Sequence, residues 1–539
     1  MRILVVAPEG LIFPIGIGYI IAVWKRAGHH VDAINLSFSS GWEIRKGDYD
    51  FVATGGLACH LTALRAILCK AQAAGVPTIL GGGIVTSEPE LMATALRPNY
   101  CVLGEGEDTA VELLAALEAG RDPEQVSGVG FFRDGVFITS PHRKPILDLD
   151  RLPTPDMDAL GFPQLLDQMR PSDMYSLDLF DHPRSYPLLG SRSCPYSCTF
   201  CYHPLGQKYR QRSLDSIMAE LADAIPRYRI NVVEILDELF AVNSDRLIEW
   251  CRRLRELTQT VPWQVRWSCQ LRVDRLSDAL LATLKESGCF CVSFGFESYS
   301  DTVLRSMEKH ITPEQIHKAV HMTLSRRISL QGNFIFGDKA ETRETAEETL
   351  SFWREHSESG IMLGFIHPYP NSPIYQYCQE KGIIKDRLDF IEHHLSDRIN
   401  MTELSNFGFF LLVARVAMHS LRYTPHAPPS RLEADRIVVA CPHCGSENDY
   451  RNFRVFDGAS GGIRAMVGRL LLNRVLHCRI CRHRFCGRSW LVQWLVIMAR
   501  PLFWPGVHKA VFGLIYAAQI ALPAVRTRMT SGTVQKVHS

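Results

Sequence analysis

The chain has 539 residues, too many for one core, and its 46% hydrophobic and 22% charged content is that of two to four globular domains rather than a disordered chain. Its 16 cysteines fall into metal-like clusters, which excludes a small disulfide scaffold and predicts a reducing, cytoplasmic setting. The net charge of +2 hides an asymmetry: residues 451–539 hold twelve Arg and two Lys against one acid, Asp457, a net +13 that leaves −11 on the first 450 residues. A basic end of this kind predicts an anionic partner.

The chain opens on an apolar strand, residues 3–7, and the turn Pro8-Glu9-Gly10, rather than on a secretory leader. Further strands are predicted at 31–35, 51–54, 78–80 and 100–103, with helices at 16–27 and 61–74. Strands alternating with helices predict a doubly wound, Rossmann-like α/β domain over 1–140. Ligands of such sheets bind beyond the carboxyl ends of the strands. The glycine-rich turns fall there: Gly16-Ile17-Gly18, Gly81-Gly82-Gly83 and Gly104-Glu105-Gly106-Glu107. No G-x-G-x-x-G follows the first strand, which counts against a dinucleotide site. Taken with Ala27-Gly28-His29, these turns resemble the cobalamin-binding domain that precedes many radical S-adenosylmethionine (SAM) domains. The resemblance implies cobalamin contacts at Gly16, Gly81, Gly82, Gly83, Gly104 and Glu105. The D-x-H-x-x-G loop that supplies an axial histidine in many cobalamin proteins is missing. His60, the only His near a strand end, is read as a loop residue. Pro141, Pro145, Pro153, Pro155, Pro163 and Pro171 discourage regular structure over 141–185, which is read as a linker.

The next stretch, Ser193-Cys194-Pro195-Tyr196-Ser197-Cys198-Thr199-Phe200-Cys201-Tyr202, sets three cysteines in a C-x3-C-x2-C spacing. Soft thiolates this close in sequence select zinc, copper(I) or an iron–sulfur cluster. A structural zinc needs four ligands, and only His203 is near. A cubane held by three thiolates leaves one iron open. The spacing, with Phe200 before the last Cys, resembles the radical SAM family. That resemblance implies a [4Fe-4S] cluster on Cys194, Cys198 and Cys201, SAM on the open iron, and one-electron cleavage of SAM to a 5′-deoxyadenosyl radical.

Strands predicted at 188–190, 232–236, 265–268, 291–294, 329–336 and 362–367, with helices at 213–228, 245–257, 277–287, 313–326 and 342–356, form a run of βα units over 186–395. This predicts a parallel barrel, and the count resembles the family's partial (β/α)6 barrel. Chemistry in such barrels sits at the carboxyl ends of the strands. Asp237 or Glu238 is the candidate partner for the SAM ammonium, and Arg272, near Gln270, for its carboxylate. Glu297 resembles the family's ribose contact, and Gly332 the start of its adenine-facing strand. The turn His367–Pro373 resembles a barrel-closing loop. Cys251, Cys269, Cys289, Cys291 and Cys378 are read as core thiols.

A helical extension is predicted over 396–435. Cys441-Pro442-His443-Cys444 and Cys478-Arg479-Ile480-Cys481 then pair two C-x2-C knuckles, a strong signal for a four-thiolate zinc or rubredoxin-like iron site in a ribbon over 436–490. The basic tail over 491–539 carries two apolar runs, each too short to span a bilayer. With its aromatics it fits an interfacial pair of helices on the inner face of a membrane.

The resemblance implies a cobalamin-dependent radical SAM methyltransferase acting on an unactivated carbon. A flavodoxin or ferredoxin would donate the electron, and the tail suggests a small-molecule, hydrophobic or lipid-like substrate. The alternatives are a cobalamin-dependent radical cyclase or oxidase, and a non-catalytic zinc-ribbon protein gripping nucleic acid. The last is disfavoured because all three loop cysteines are present and the tail lacks a nucleic-acid platform.

Overall fold

The computed structural model describes every residue except 11, 40, 456–462, 500–509 and 517–539. Two compact units emerge. One holds residues 1–167, 189–224 and 368–396; the other holds 168–188, 225–367 and the chain from Asp397 onward.

The first unit is built on five parallel strands, β1 (Arg2–Ala7), β2 (His30–Asn35), β3 (Phe51–Gly55), β4 (Thr78–Gly81) and β5 (Tyr100–Val102). An antiparallel hairpin, β6 (Val129–Arg133) and β7 (Val136–Thr139), extends the sheet in the order β2-β1-β3-β4-β5-β6-β7. Interior β1 is apolar from Ile3 to Ala7 because both of its faces are buried there. Helices α1 (Ile15–Arg26), α2 (Leu61–Ala73), α3 (Gly83–Ser87), α4 (Pro89–Leu96) and α5 (Gly106–Glu118) connect these strands. The hairpin was not foreseen. The segment read as a linker contains α6 (Phe162–Gln168), whose Phe162 and Leu166 are buried; Pro163 is tolerated there because the first turn needs no N–H.

The second unit is built on a six-stranded parallel sheet that opens with β8 (Ser185–Leu188). β8 lies three residues earlier than predicted. The residues after it, β9 (Ser191–Arg192), pair instead with β10 (Arg210–Gln211) in a short antiparallel stem of the first unit. α7 (Leu214–Tyr228) leads into β11 (Val232–Ile235), and α8 (Ser244–Thr258) into β12 (Arg266–Leu271). α9 (Asp278–Glu286) precedes β13 (Cys289–Glu297), and α10 (Asp301–Ser306) and α11 (Pro313–Ser325) precede β14 (Ser329–Phe336). α12 (Arg343–Glu355) precedes β15 (Ile361–Phe365). Each strand pairs in parallel with the one before it, giving the order β15-β14-β13-β12-β11-β8, the predicted partial barrel. Local signals start its helices: Thr312 and Gln315 form a capping box around Pro313, and Ser277 caps α9.

Residues 175–180 close the foot of this barrel. The Tyr175 hydroxyl donates to the carbonyls of Leu330 (3.1 Å) and Gly360 (2.9 Å), and Phe180 packs edge-on to Phe290. All three partners lie at amino ends of strands. α13 (Pro373–Glu380) and the single-turn α14 (Arg387–Asp389) belong to the first unit; α15 (Asn406–Tyr423) returns to the second. A ribbon follows as two three-stranded sheets. One holds β16 (His426–Ala427), β20 (Asn473–His477) and β21 (Arg484–Arg488); the other holds β17 (Pro429–Leu432), β18 (Arg436–Ala440) and β19 (Glu447–Arg451). α16 (Ile463–Leu470) and α17 (Trp490–Met498) flank the second hairpin.

Candidate functional site

The three cysteines lie in the loop that the β9–β10 stem closes. Ser193, at its entrance, adopts φ +64°, a left-handed conformation that costs a non-glycine residue energy unless its surroundings impose it. Arg210 supplies part of that restraint by donating to the Ser193 hydroxyl oxygen (3.2 Å). Cys201 N–H donates to the Cys198 carbonyl (3.1 Å), and Ile374 N–H to that of Thr199 (2.9 Å), tying the loop to the start of α13. Cys198 is buried, and Cys194, Phe200 and Cys201 are half-buried. Among the described residues only the ribbon cysteines gather their ligand atoms within 4.8 Å. Three soft donors on one short loop suit a polynuclear centre.

The glycine turns lie at the carboxyl ends of the first unit's strands. Gly82, at φ +91°, brings the β4 turn against the β3 turn; a Cβ there would stand 2.7 Å from Gly56 N and O. A Cβ on Gly16 or Gly104 would meet nothing within 4 Å, so both face open space beside the close-packed turn. Gly83 is covered by the phenol of Tyr202, whose oxygen accepts from the Ser87 hydroxyl (2.9 Å). The carboxylate of Glu105 is not turned toward the open side. It accepts from Arg210 (2.6 Å) and from Ile146 N–H (2.6 Å) and is buried. His60 Nδ1 accepts the Leu57 N–H (3.1 Å), and burial lowers its pKa. That bond leaves the neutral ring's proton on Nε2, so His60 is not arranged as a cobalt ligand.

At the barrel mouth Asp237 is buried and Glu238 exposed, just beyond β11. Glu297 ends β13 at φ +64° and accepts from Lys309 Nζ (2.7 Å). Arg272 Nε donates to Asp274 (3.1 Å) and its Nη2 to the carbonyls of Lys309 (3.3 Å) and His310 (3.2 Å). Lys309, which the sequence reading missed, thus joins Arg272 to Glu297; exposed Gln270 stands two residues before Arg272. Gly332 is a packing glycine: a Cβ there would strike the Phe296 ring at 2.5 Å. Beyond β14 two buried acids were also missed. Asp338 accepts from the Ser306 hydroxyl (2.6 Å) and Ala340 N–H (2.8 Å). Glu341 accepts from Gly337 N–H (3.2 Å) and the Thr345 hydroxyl (2.9 Å), and burial raises its pKa to about 7.

The ribbon's two knuckles sit on its two hairpins. Cys441 and Cys481 Sγ are 3.7 Å apart, and Cys444 and Cys478 Sγ 3.6 Å. Metal–sulfur bonds of ~2.3 Å in a tetrahedron give an edge of about 3.8 Å, so the set fits zinc or a rubredoxin-like iron. The N–H groups of His443 and Ile480 point at Cys441 and Cys478 sulfur (3.4 Å each), and the Ser446 hydroxyl and N–H draw the Cys444 thiol down to about 6.

Residues 188–352 match the Radical SAM superfamily, and residues 1–114 the B12 binding domain. The chain is 30% identical over 391 residues to an uncharacterized methyltransferase of Pyrococcus horikoshii, spanning 69% of this chain and 79% of that one. The chain belongs to the radical SAM superfamily, in its B12-binding branch. An anaerobic magnesium-protoporphyrin IX monomethyl ester cyclase of Rubrivivax gelatinosus is 28% identical over 58% of this chain and 55% of its own. Among solved structures, the radical SAM methyltransferase TsrM of Kitasatospora setae, with cobalamin and a [4Fe-4S] cluster bound, has a TM-score of 0.57 at 18% identity, covering 70% of this chain and 75% of that one. OxsB, a cobalamin-dependent radical SAM enzyme, has a TM-score of 0.55 at 18% identity, covering 75% of this chain and 58% of its own.

As a radical SAM enzyme of the cobalamin-dependent methyltransferase and cyclase group, the protein uses a [4Fe-4S] cluster, SAM and cobalamin. The ribbon stands apart from the mouth residues of its own unit. His477 donates its N–H and Nδ1–H (2.9 Å) to buried Asp178, and Arg479 bonds Asp181 (2.8 Å). Arg484 N–H donates to the Glu358 carbonyl (2.8 Å) and its side chain to that of Ile361 (3.2 Å). These anchors lie at the foot of the barrel. The nine residues of β13, at ~3.3 Å each, separate the foot from Glu297 by about 25 Å, so metal there buttresses the fold rather than meeting the mouth residues.

Proposed function

We propose that the protein transfers a methyl group from cobalamin to an unactivated carbon of a hydrophobic substrate. The observation that carries the reading is the first unit itself, in which the three-cysteine loop and the glycine cradle are parts of one compact body. Cys194, Cys198 and Cys201 would hold the cluster. The turns at Gly16, Gly81–Gly83 and Gly104 would hold cobalamin by close backbone approach. When bound, these groups supply one-electron cleavage of SAM and a transferable methyl; the protein supplies geometry and excludes water. Glu297, with Lys309, and Arg272 are the mouth residues suited to ribose hydroxyls and a carboxylate. The acidic partner for the SAM ammonium remains Asp237 or Glu238. A reducing cytoplasm with a flavodoxin- or ferredoxin-like donor fits a cluster of this kind.

The substrate class rests on α17. Trp490, Trp494, Leu495, Ile497 and Met498 are all exposed along it, inside the segment of net +13. No helix among the described residues is long and apolar enough to cross a membrane. An exposed apolar helix in a basic segment suits the headgroup boundary of an anionic membrane. The ribbon from which α17 grows is fastened at the barrel foot, so such contact would tether the enzyme to the surface from which a hydrophobic substrate is drawn. The parts of the predicted basic, apolar tail at 500–509 and 517–539 lie outside the described residues. Anionic vesicles should carry the full chain to the top of a flotation gradient at low salt, and Trp490→Ser/Trp494→Ser should stay behind.

The reaction is tested by anaerobic incubation with a reductant, methylcobalamin, SAM deuterated in its methyl group, and an organic extract of cells. The label should enter a compound of the organic phase while S-adenosylhomocysteine accumulates. Formation of 5′-deoxyadenosine with no labelled product and no S-adenosylhomocysteine would replace methyl transfer by the cyclase or oxidase reading.

A further inference from the structure

The cysteine loop is fastened at both ends to the turns that form the glycine cradle. At its entrance Arg192 and Arg210 face each other across the β9–β10 stem. Arg210, its side chain 4% exposed, meets Glu105 at 2.6 Å, and also donates to the Ile146 carbonyl (2.8 Å). Arg192 bonds Glu107, stands 3.5 Å from Glu105, and lays its guanidinium over the Tyr19 ring of α1 at 5.4 Å. At the loop's exit Tyr202, the neighbour of Cys201, accepts from Ser87 and covers Gly83. Apart from the bonds to the Ile146 carbonyl and to Ile374, these ties land on α3, the β5–α5 turn or the first turns of α1. Buried ion pairs add little net stability, because desolvation offsets their attraction, but removing one partner is strongly unfavourable. Such pairs hold a geometry more than they hold a fold.

We propose that Arg192, Arg210 and Tyr202 are positioning residues that couple the cluster loop to occupancy of the cradle. Cobalamin, by ordering the two turns, fixes the loop that carries the cluster; the assembled cluster, by fixing the loop, tightens the cradle on cobalamin. The coupling is reciprocal by thermodynamic necessity. It rests on the assignment of cobalamin to the glycine turns, and it is independent of which substrate is methylated.

The test uses the full chain under anaerobic conditions and hydroxocobalamin as the probe. Its affinity is measured by tryptophan quenching in cluster-free and cluster-reconstituted protein, and iron loss to a chelator is timed with and without it. The wild type should bind hydroxocobalamin at least about fivefold more tightly when the cluster is present, and lose iron more slowly by a similar factor when hydroxocobalamin is bound. Tyr202→Phe removes only the bond from Ser87, and Glu107→Gln keeps the shape of the Arg192 partner. Each should bring both ratios to within about twofold of unity, while the cluster-free protein keeps its hydroxocobalamin affinity. A merely structural role would lower thermal stability and leave the ratios at the wild-type value, which would overturn the proposal. A wild-type ratio near unity would overturn it equally. Absence of hydroxocobalamin binding in both states would instead overturn the cradle assignment, and the coupling with it.

Discussion

Asp178→Ala should loosen the ribbon from the barrel. The Asp178 carboxylate is buried and takes both the N–H and the Nδ1–H of His477, itself buried. The ring of His477 is also held edge-on by Tyr175 at 4.6 Å, so it cannot swing out to water without breaking that contact. Alanine would leave two buried donors without an acceptor. Each unsatisfied donor costs about 1–3 kcal/mol, so two cost about 4 kcal/mol, which corresponds to a shift of roughly a thousandfold in the attachment equilibrium. Asp178→Asn keeps one acceptor and should cost about half as much. The assay is limited proteolysis of the zinc-loaded full chain, read as the rate of cutting between Leu432 and Arg436, alongside denaturant unfolding. Equal cutting rates and stabilities within about 0.5 kcal/mol for wild type and Asp178→Ala would refute the reasoning.

Gly82→Val should abolish cobalamin retention while leaving the barrel folded, because its Cβ would collide with Gly56 backbone; cobalamin absorbance of the purified protein and far-ultraviolet circular dichroism check the two halves. Glu341, raised by burial from 4.5 to about 7, keeps its proton in the folded protein at pH values where the unfolded chain has lost it. Its contribution is whole below pH 4.5 and is lost as pH rises through about 7, on the order of 3 kcal/mol. Urea unfolding should therefore show Glu341→Gln gaining on the wild type between pH 5 and pH 8, and a pH-independent difference would contradict the assignment. Chelating the ribbon metal should lower stability and speed cleavage near Cys441, because the four thiolates join the ribbon's two hairpins; unchanged stability and cleavage would contradict a metal at that site.

Most of the architecture was legible because its signals are local. Parallel strands covered on both faces read as apolar runs, as from Ile3 to Ala7 in β1, and several barrel helices carry their own start signal, as Thr312, Pro313 and Gln315 do for α11. The three-cysteine loop and both ribbon knuckles were legible because close spacing along the chain constrains the donors. What stayed hidden depends on partners far apart in sequence. Arg192 and Arg210 meet Glu107 and Glu105 across 85 and 105 positions, and nothing local marks the cysteine loop as belonging with the first unit. Asp178 finds His477 across 299 positions, so the foot of the barrel read as a proline-rich linker. Glu105 was assigned to the ligand because it sits among glycines; the available clue was that an acid beside an apolar helix start needs a cation, and two arginines flank the cysteine motif. Lys309 escaped because a lysine in a polar turn looks solvated until Glu297 is placed beside it.

The central claim is that the Cys194, Cys198 and Cys201 loop holds a cluster that cleaves SAM. Reconstituted anaerobically with iron and sulfide, the protein should form 5′-deoxyadenosine from SAM and a reductant, detected by mass spectrometry, and Cys194→Ala, Cys198→Ala and Cys201→Ala should each lose it. Undiminished 5′-deoxyadenosine from any one of the three variants would contradict the account.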